Sequence, residues 1–124
     1  MNERLLLTDA VALPNTRAML KALRATFDVR VDQALTLVEK RKVQKYVFKP
    51  SDGTIWTVNG HLIYEVVGYC HCKNFYFNFE SGYICHHVLA QKLAERKGMF
   101  KTVEMNDEEF DKFSRKLIIF KVRQ

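Results

Sequence analysis

The chain has 124 residues, 48% of them hydrophobic and 27% charged, which is typical of one folded domain and excludes a disordered or fibrous chain. Its apolar stretches are far shorter than the roughly 18 residues of a membrane-spanning helix, and its first residues lack a signal-peptide pattern, so we expect a soluble protein that is not secreted. The formal net charge of +6 is compatible with a nucleic-acid partner but is more often explained by a solvated lysine-rich face. We expect residues 1–124 to form a single domain.

Two helices are predicted in the N-terminal part, residues 1–42. Asn15 precedes the first helix as a candidate N-cap, because its side chain can accept hydrogen bonds from the first backbone amides of a helix. A break near residues 28–30 separates the second helix from the first. The apolar residues that share one face are Met19, Leu20, Leu23 and Phe27 in the first helix and Val31, Ala34, Leu35 and Val38 in the second.

Three strands are predicted next. Residues 43–49 alternate between apolar and polar side chains, and residues 54–58 and 61–67 are rich in β-branched and aromatic types. Asn59 and Gly60, which lie between the last two strands, both tolerate a positive φ and therefore favour a tight type I′ hairpin turn. In that register the facing pairs are Trp56 with Ile63 and Ile55 with Tyr64.

Two further helices are predicted after the strands. Residues 86–97 have a helical pattern, and Gly98 is a suitable stop. Within the C-terminal part, residues 99–124, Asn106 begins another helix as its cap, with Met105 and Phe110 in the positions of a hydrophobic staple. This order of elements predicts a small α+β domain, in which a three-stranded antiparallel meander is preceded by two helices and followed by two.

The chain has three cysteines, which all lie between positions 70 and 85. Their odd number argues against a disulfide framework, and their clustering argues for a metal site in a reducing compartment. Cys70-x-Cys72, twelve intervening residues and Cys85-x-His87 form the pattern C-x-C-x12-C-x-H. Three thiolates and one imidazole close a tetrahedral shell around Zn²⁺. The sequence therefore predicts a structural zinc ion on these four residues. His86 and His71 are the competing imidazoles, and His86 is the next choice after His87 as the fourth ligand.

This ligand pattern, on a strand followed by a helix, resembles the SWIM zinc finger. Ala90 completes C-x-H-x-x-A, which is similar to the extended signature of the SWIM-domain subunit of Shu-type homologous-recombination mediator complexes. The resemblance covers roughly residues 30–117, with the zinc-finger core at residues 43–98. Lys73 departs from it, since SWIM fingers often have proline at that position, whereas Phe75 keeps the aromatic residue two positions later.

The resemblance implies a zinc-bound, non-enzymatic protein that pairs with a RecA-family recombinase paralogue and promotes homologous recombination and DNA repair on single-stranded DNA. It implies a nuclear location in a eukaryote and a cytoplasmic one in an archaeon. Independently, a zinc ion with four protein ligands has no open position for a substrate, so we expect no catalytic residues. The alternative is a stand-alone zinc-finger protein that binds single-stranded nucleic acid directly.

Two candidate surfaces are proposed from charge and hydrophobicity. The nucleic-acid contacts are basic residues around the first strand and after the first cysteine pair: Lys40, Arg41, Lys42, Lys45, Lys49 and Lys73. The partner interface consists of apolar residues near the two ends of the sequence: Leu5, Leu6, Val11, Leu117, Ile118 and Phe120. These apolar residues would bind the recombinase paralogue or a second copy of the chain, unless the two ends pack against each other.

Overall fold

The computed structural model of the chain describes residues 3–64, 69–70, 84–110 and 112. The elements are helices α1 (Glu3–Val11), α2 (Thr16–Phe27) and α3 (Val29–Glu39), strands β1 (Val43–Lys49), β2 (Gly53–Val58), β3 (His61–Tyr64) and β4 (Tyr69–Cys70), helix α4 (His86–Lys97) and strand β5 (Lys101–Asn106). Residues 107–110 are again helical. No helix in these ranges is long and apolar enough to cross a membrane.

The predicted cap of α2 is present. The Asn15 Oδ1 atom accepts hydrogen bonds from the backbone amides of Arg17 and Ala18, at 2.8 and 3.2 Å. Helix α2 then ends before Asp28, whose positive φ of 51° forms the break that separates α2 from α3. Both helices are therefore bounded as their sequences predict.

The expectation of only two helices before the sheet is wrong, because α1 forms a third. In the sequence this segment is an apolar stretch that precedes the first predicted helix. Leu7 and Ala10, three positions apart, are buried on one face of α1, whereas Leu5 stays 64% exposed. Burial of one face against the other helices, rather than a strong capping signal, accounts for this helix.

The hairpin between β2 and β3 has the predicted turn and register. Asn59 and Gly60 both have positive φ, at 51° and 84°, and Trp56 faces Ile63 across the two strands. A type I′ turn needs positive φ at both central residues, and its twist matches that of the flanking strands. This part of the meander is confirmed.

The sheet as a whole is not a three-stranded antiparallel meander. In the described part of the chain it has five strands in the order β4-β3-β2-β1-β5. Neighbouring strands are antiparallel except β5, which runs parallel to β1 and pairs Tyr46 with Val103. Strand β5 occupies residues 101–106, in the part of the chain for which the sequence predicted only helix. The predicted helix that begins at Asn106 is present at least over residues 107–110.

The two faces of the sheet bury separate apolar clusters. On one face, side chains of the four helices pack against Val43, Trp56, Val58 and Ile63. On the other face, Phe48, Ile55 and Leu62 are buried together, with Tyr46 and Met105 packed against them. Because successive residues of a strand point to opposite faces, β1, β2 and β3 each contribute to both clusters.

Helix α4 connects the β4 edge of the sheet to the β5 edge. It contacts β1, β2, β3 and β4 and packs closely against α3. Ala34 on α3 and both Ala90 and Ala94 on α4 are fully buried, as expected where two helices approach closely. This crossing places the first turn of α4 beside the β3–β4 edge, where Cys70 lies.

Candidate metal centre

Cys70, Cys85 and His87, three of the predicted zinc ligands, lie on neighbouring elements. Cys70 is the last residue of β4 and pairs with Ile63 of β3. Cys85 is the N-cap residue of α4, with the extended backbone that this position requires, and its carbonyl accepts the first hydrogen bond of the helix from Leu89 at 3.3 Å. Since α4 contacts β4, the fold brings the backbones of the two cysteine segments together.

Cys85 and His87 form the part of the site whose side chains are described. Cys85 is fully buried and His87 is 7% exposed, whereas His86 is half-buried. The Cys85 Sγ and His87 Nδ1 atoms are 3.9 Å apart. Two zinc ligands at about 2.3 and 2.0 Å across a tetrahedral angle lie roughly 3.6 Å apart, so this pair fits one zinc ion through sulfur and Nδ1.

The remaining predicted ligands are described only in part. The backbone of Cys70 is described, but its side chain and all of Cys72 lie outside the described residues. Within the described residues there is no group of three or more His, Cys, Asp or Glu side chains placed to hold a metal ion. The four-ligand set therefore stays a prediction, to which the structure adds the Cys85–His87 geometry.

Two further imidazoles pack around His87. The ring of His61, at the start of β3, lies 4.4 Å from the His87 ring between centroids, and the His86 ring lies 4.1 Å from it. Both rings are therefore in contact distance of the His87 ring. His61 has no place in the predicted ligand set, although its position on the helix-facing side of β3 could be deduced from strand alternation.

An ion pair holds the residue that precedes Cys85. The Arg30 guanidinium donates to both carboxylate oxygens of Glu3, at 2.9 and 2.7 Å, and to the backbone carbonyl of Ile84 at 2.7 Å. The Ile84 amide in turn donates to Glu3 Oε1 at 3.0 Å. Both backbone groups of Ile84 are therefore fixed by α1 and α3, and we call this arrangement the Glu3–Arg30–Ile84 clamp.

The clamp also favours the ionised form of Glu3. The hydrogen bond from Arg30 lowers the pKa of Glu3 below its ordinary value of 4.5, and the Ile84 amide lowers it further, whereas partial burial acts in the opposite direction. The clamp could not be predicted from the sequence because its members are separated by 27 and 81 positions. No local pattern in the sequence marks such a pair.

The predicted basic contacts do not form one patch. Lys40, Arg41 and Lys42 are exposed at the turn between α3 and β1. The Lys45 Nζ atom lies over the Trp56 ring at 5.4 Å from its centroid, on the helix-facing side of the sheet. Lys73 lies outside the described residues.

Lys49, at the far end of β1, forms an ion pair with Asp52. The hydrogen bond to the Asp52 carboxylate, together with its charge, raises the pKa of Lys49 above its ordinary value. Because Asp52 already balances this cation, Lys49 is a weaker candidate for phosphate binding than Lys40, Arg41 and Lys42.

The predicted partner interface is described only at its N-terminal half. Leu5 is exposed, Leu6 is half-buried, and Val11 packs against the main core. Leu117, Ile118 and Phe120 lie outside the described residues. Of the described candidates, Leu5 is the one with substantial apolar surface available to a partner.

The chain is similar to a protein of Dictyostelium discoideum described as a zinc finger SWIM domain-containing protein 7 homolog. The two are 29% identical over 92 residues, which make up 68% of this chain and 59% of that protein. This similarity supports the prediction that the chain is a SWIM-domain protein. It also supports zinc binding and suggests a zinc-finger interaction module. The chain spans less than two thirds of the length of this relative.

No family model matches the chain, and no solved structure matches it significantly.

Proposed function

We propose that the chain is a non-catalytic interaction module held together by one Zn²⁺ ion on Cys70, Cys72, Cys85 and His87. The observation that carries the proposal is the buried Cys85–His87 pair at the start of α4, with a spacing between Sγ and Nδ1 that suits a shared zinc ion. A zinc ion with this ligand set would link the sheet to α4 and would keep no open coordination position for chemistry. The role of the site is then structural: it holds the sheet and α4 in a fixed relative position and carries out no reaction.

The module pairs with a RecA-family recombinase paralogue and promotes homologous recombination and DNA repair. Support for this partner comes from the resemblance of C-x-C-x12-C-x-H-x-x-A to the subunit of Shu-type complexes. The exposed Leu5 on α1 offers an apolar contact on the described surface. Single-stranded DNA is bound within that complex, and the location is nuclear in a eukaryote or cytoplasmic in an archaeon.

Co-purification tests the proposed partner. The tagged full chain is expressed in its own cells, and the proteins that elute with it are identified by mass spectrometry. A RecA-family paralogue is expected with the native chain and is expected to be lost with Leu5→Asp. Val29→Asp is the matched control, because Val29 is 60% exposed but lies outside the predicted interface. A chain that elutes alone contradicts the pairing.

A second candidate function, direct binding of single-stranded nucleic acid without the paralogue, is favoured by one observation. Lys40, Arg41 and Lys42 are consecutive and exposed, and none of them is in an ion pair with a described residue. Phosphate groups bind such cations with a strong dependence on salt. Tight oligonucleotide binding by the purified chain alone would favour this function over the mediator.

A further inference from the structure

A pocket of about 340 Å³ lies where the α3–β1 turn meets the β2–β3 hairpin. It is lined by Arg41, Lys42, Gln44, Tyr46, Thr57, Asn59 and Gly60. Its volume is at the lower end of the range for small-molecule sites, about 300–1,000 Å³, so it suits a ligand of small size. The strand residues in it lie on the sheet face opposite the helices, next to the Phe48–Ile55–Leu62 cluster.

The walls of the pocket are held by backbone and side-chain contacts. The Asn59 amide donates to the Lys42 carbonyl at 2.9 Å, which joins the hairpin turn to the α3–β1 turn. The Tyr46 hydroxyl donates to Gln44 Oε1 at 2.5 Å, and Gln44 faces Thr57 across the strands. The pocket thus combines two cations at one end with an aromatic ring, an amide and a hydroxyl along the sheet.

The backbone conformation of Arg41 is one that usually selects glycine. Helix α3 ends with the Arg41 amide bonded to the Val38 carbonyl and the Lys42 amide bonded to the Leu37 carbonyl, which is the Schellman arrangement. Arg41 occupies its left-handed position with a φ of 59°. Helix α4 ends with the corresponding bonds, and there the left-handed residue is Gly98, with a φ of 69°.

An arginine at this position costs stability relative to glycine, since a side chain is disfavoured at positive φ. Residues held in such conformations are often associated with binding sites. The strain and the pocket are separate observations that meet at the same residue. The arginine side chain at this position therefore lines the pocket at a cost to the stability of the turn.

We propose that this pocket binds one nucleotide unit, with its phosphate on Arg41 and Lys42 and its base against Tyr46 and Gln44. Arginine and lysine are the residue types that bind phosphate, and aromatic rings bind bases by stacking. The inference deepens the nucleic-acid contact of the proposed function, because it names the residues and the unit that they bind. It does not depend on the identity of the protein partner.

The test compares Arg41→Gly with the native chain. The glycine variant should keep or raise the Tm, because it relieves the left-handed conformation, while it loses a cation from the pocket. Binding of a fluorescein-labelled oligodeoxythymidylate should weaken about tenfold at low salt, as expected for loss of a hydrogen bond to a charged group. Lys21→Gln is the control for charge alone, because Lys21 is exposed on α2. Glutamine is used there because glycine would destabilise the helix.

The slope of log affinity against log salt should fall by about 0.7 for Arg41→Gly and for Lys42→Gln. A nucleoside monophosphate should displace the labelled strand from the native chain more effectively than inorganic phosphate does. Equal binding by Arg41→Gly and Lys21→Gln overturns the site, and equal displacement by inorganic phosphate overturns the role of Tyr46 and Gln44. Recovery of the protein partner by Arg41→Gly should be unchanged, so failure of this site and failure of the partner proposal are distinguishable.

Discussion

The substitution Arg30→Gln tests whether the Glu3–Arg30–Ile84 clamp holds α1, α3 and the start of α4 together. Arg30 donates two hydrogen bonds to Glu3 and one to the Ile84 carbonyl. Glutamine is shorter and neutral, so it cannot make the paired contact with the carboxylate. The Glu3 carboxylate would then keep its bond from the Ile84 amide but would lose its counter-charge.

The expected loss of unfolding free energy follows from the shielding of the Arg30–Glu3 ion pair from solvent. The side chains of Arg30 and Glu3 are only 20% and 23% exposed. Hydrogen bonds to charged groups contribute about 1.5–3 kcal/mol, so we expect Arg30→Gln to lower the free energy of unfolding by about 2 kcal/mol. That loss corresponds to a Tm lower by roughly 8 °C for a domain of this size.

Arg24→Gln is the matched control. Arg24 forms an ion pair with Asp32, but the two side chains are 47% and 61% exposed. Exposed pairs contribute about 0.2–1 kcal/mol, so this variant should lose at most half as much stability as Arg30→Gln. Urea unfolding at pH 7 measures the stability of both variants. Equal losses of unfolding free energy would show that the clamp does not stabilise the fold more than an exposed ion pair does.

The clamp also predicts a dependence on pH. Because the pKa of Glu3 is lowered in the folded state, the pair stabilises the fold above the ordinary value of 4.5, and this contribution is lost as pH falls below it. The difference in unfolding free energy between the native chain and Arg30→Gln should therefore shrink in acid. A difference that stays constant from pH 7 to about pH 3 would contradict the assignment to Glu3.

Three further substitutions test the fold around the site. Leu89→Ala removes a fully buried side chain of α4 and should lower the unfolding free energy by about 2–5 kcal/mol. Leu5→Ala, at an exposed position, is the control and should change it by less than about 0.5 kcal/mol. Similar losses for the two variants in urea unfolding would contradict the packing of α4. Gly60→Ala places a side chain at a φ of 84° and should cost about 1 kcal/mol, which thermal unfolding would detect. Asn15→Ala removes the α2 cap and should also cost about 1 kcal/mol, and an unchanged Tm would show that the cap is dispensable.

Features that are encoded locally could be predicted from the sequence. The Asn59-Gly60 turn and the Gly98 stop both require a positive φ that few residue types adopt readily, so the residue type identifies the conformation. The N-cap at Asn15 is similar, because the cap and its donors lie within three positions of one another.

Features that depend on distant residues could not be predicted in this way. The alternation of Val103 and Met105 in β5 is short, and Met105 also fits the staple position just before the helix that Asn106 begins, so the sequence pattern predicted no strand here. What makes these residues a strand is parallel pairing with β1, more than 50 positions earlier. The clamp that holds Ile84 is equally non-local, and the pocket forms only where two separate turns meet.

The central claim is a zinc ion that cross-links the sheet to α4, and the most direct measurement is the metal content and coordination of the purified chain. Elemental analysis with X-ray absorption should give one zinc per chain, bound by three sulfur atoms and one nitrogen atom. Cys85→Ser should lose the metal and unfold at a much lower temperature, because metal binding contributes directly to folding. Folded native protein without zinc, or a Cys85→Ser variant with native stability and no zinc, would contradict the claim.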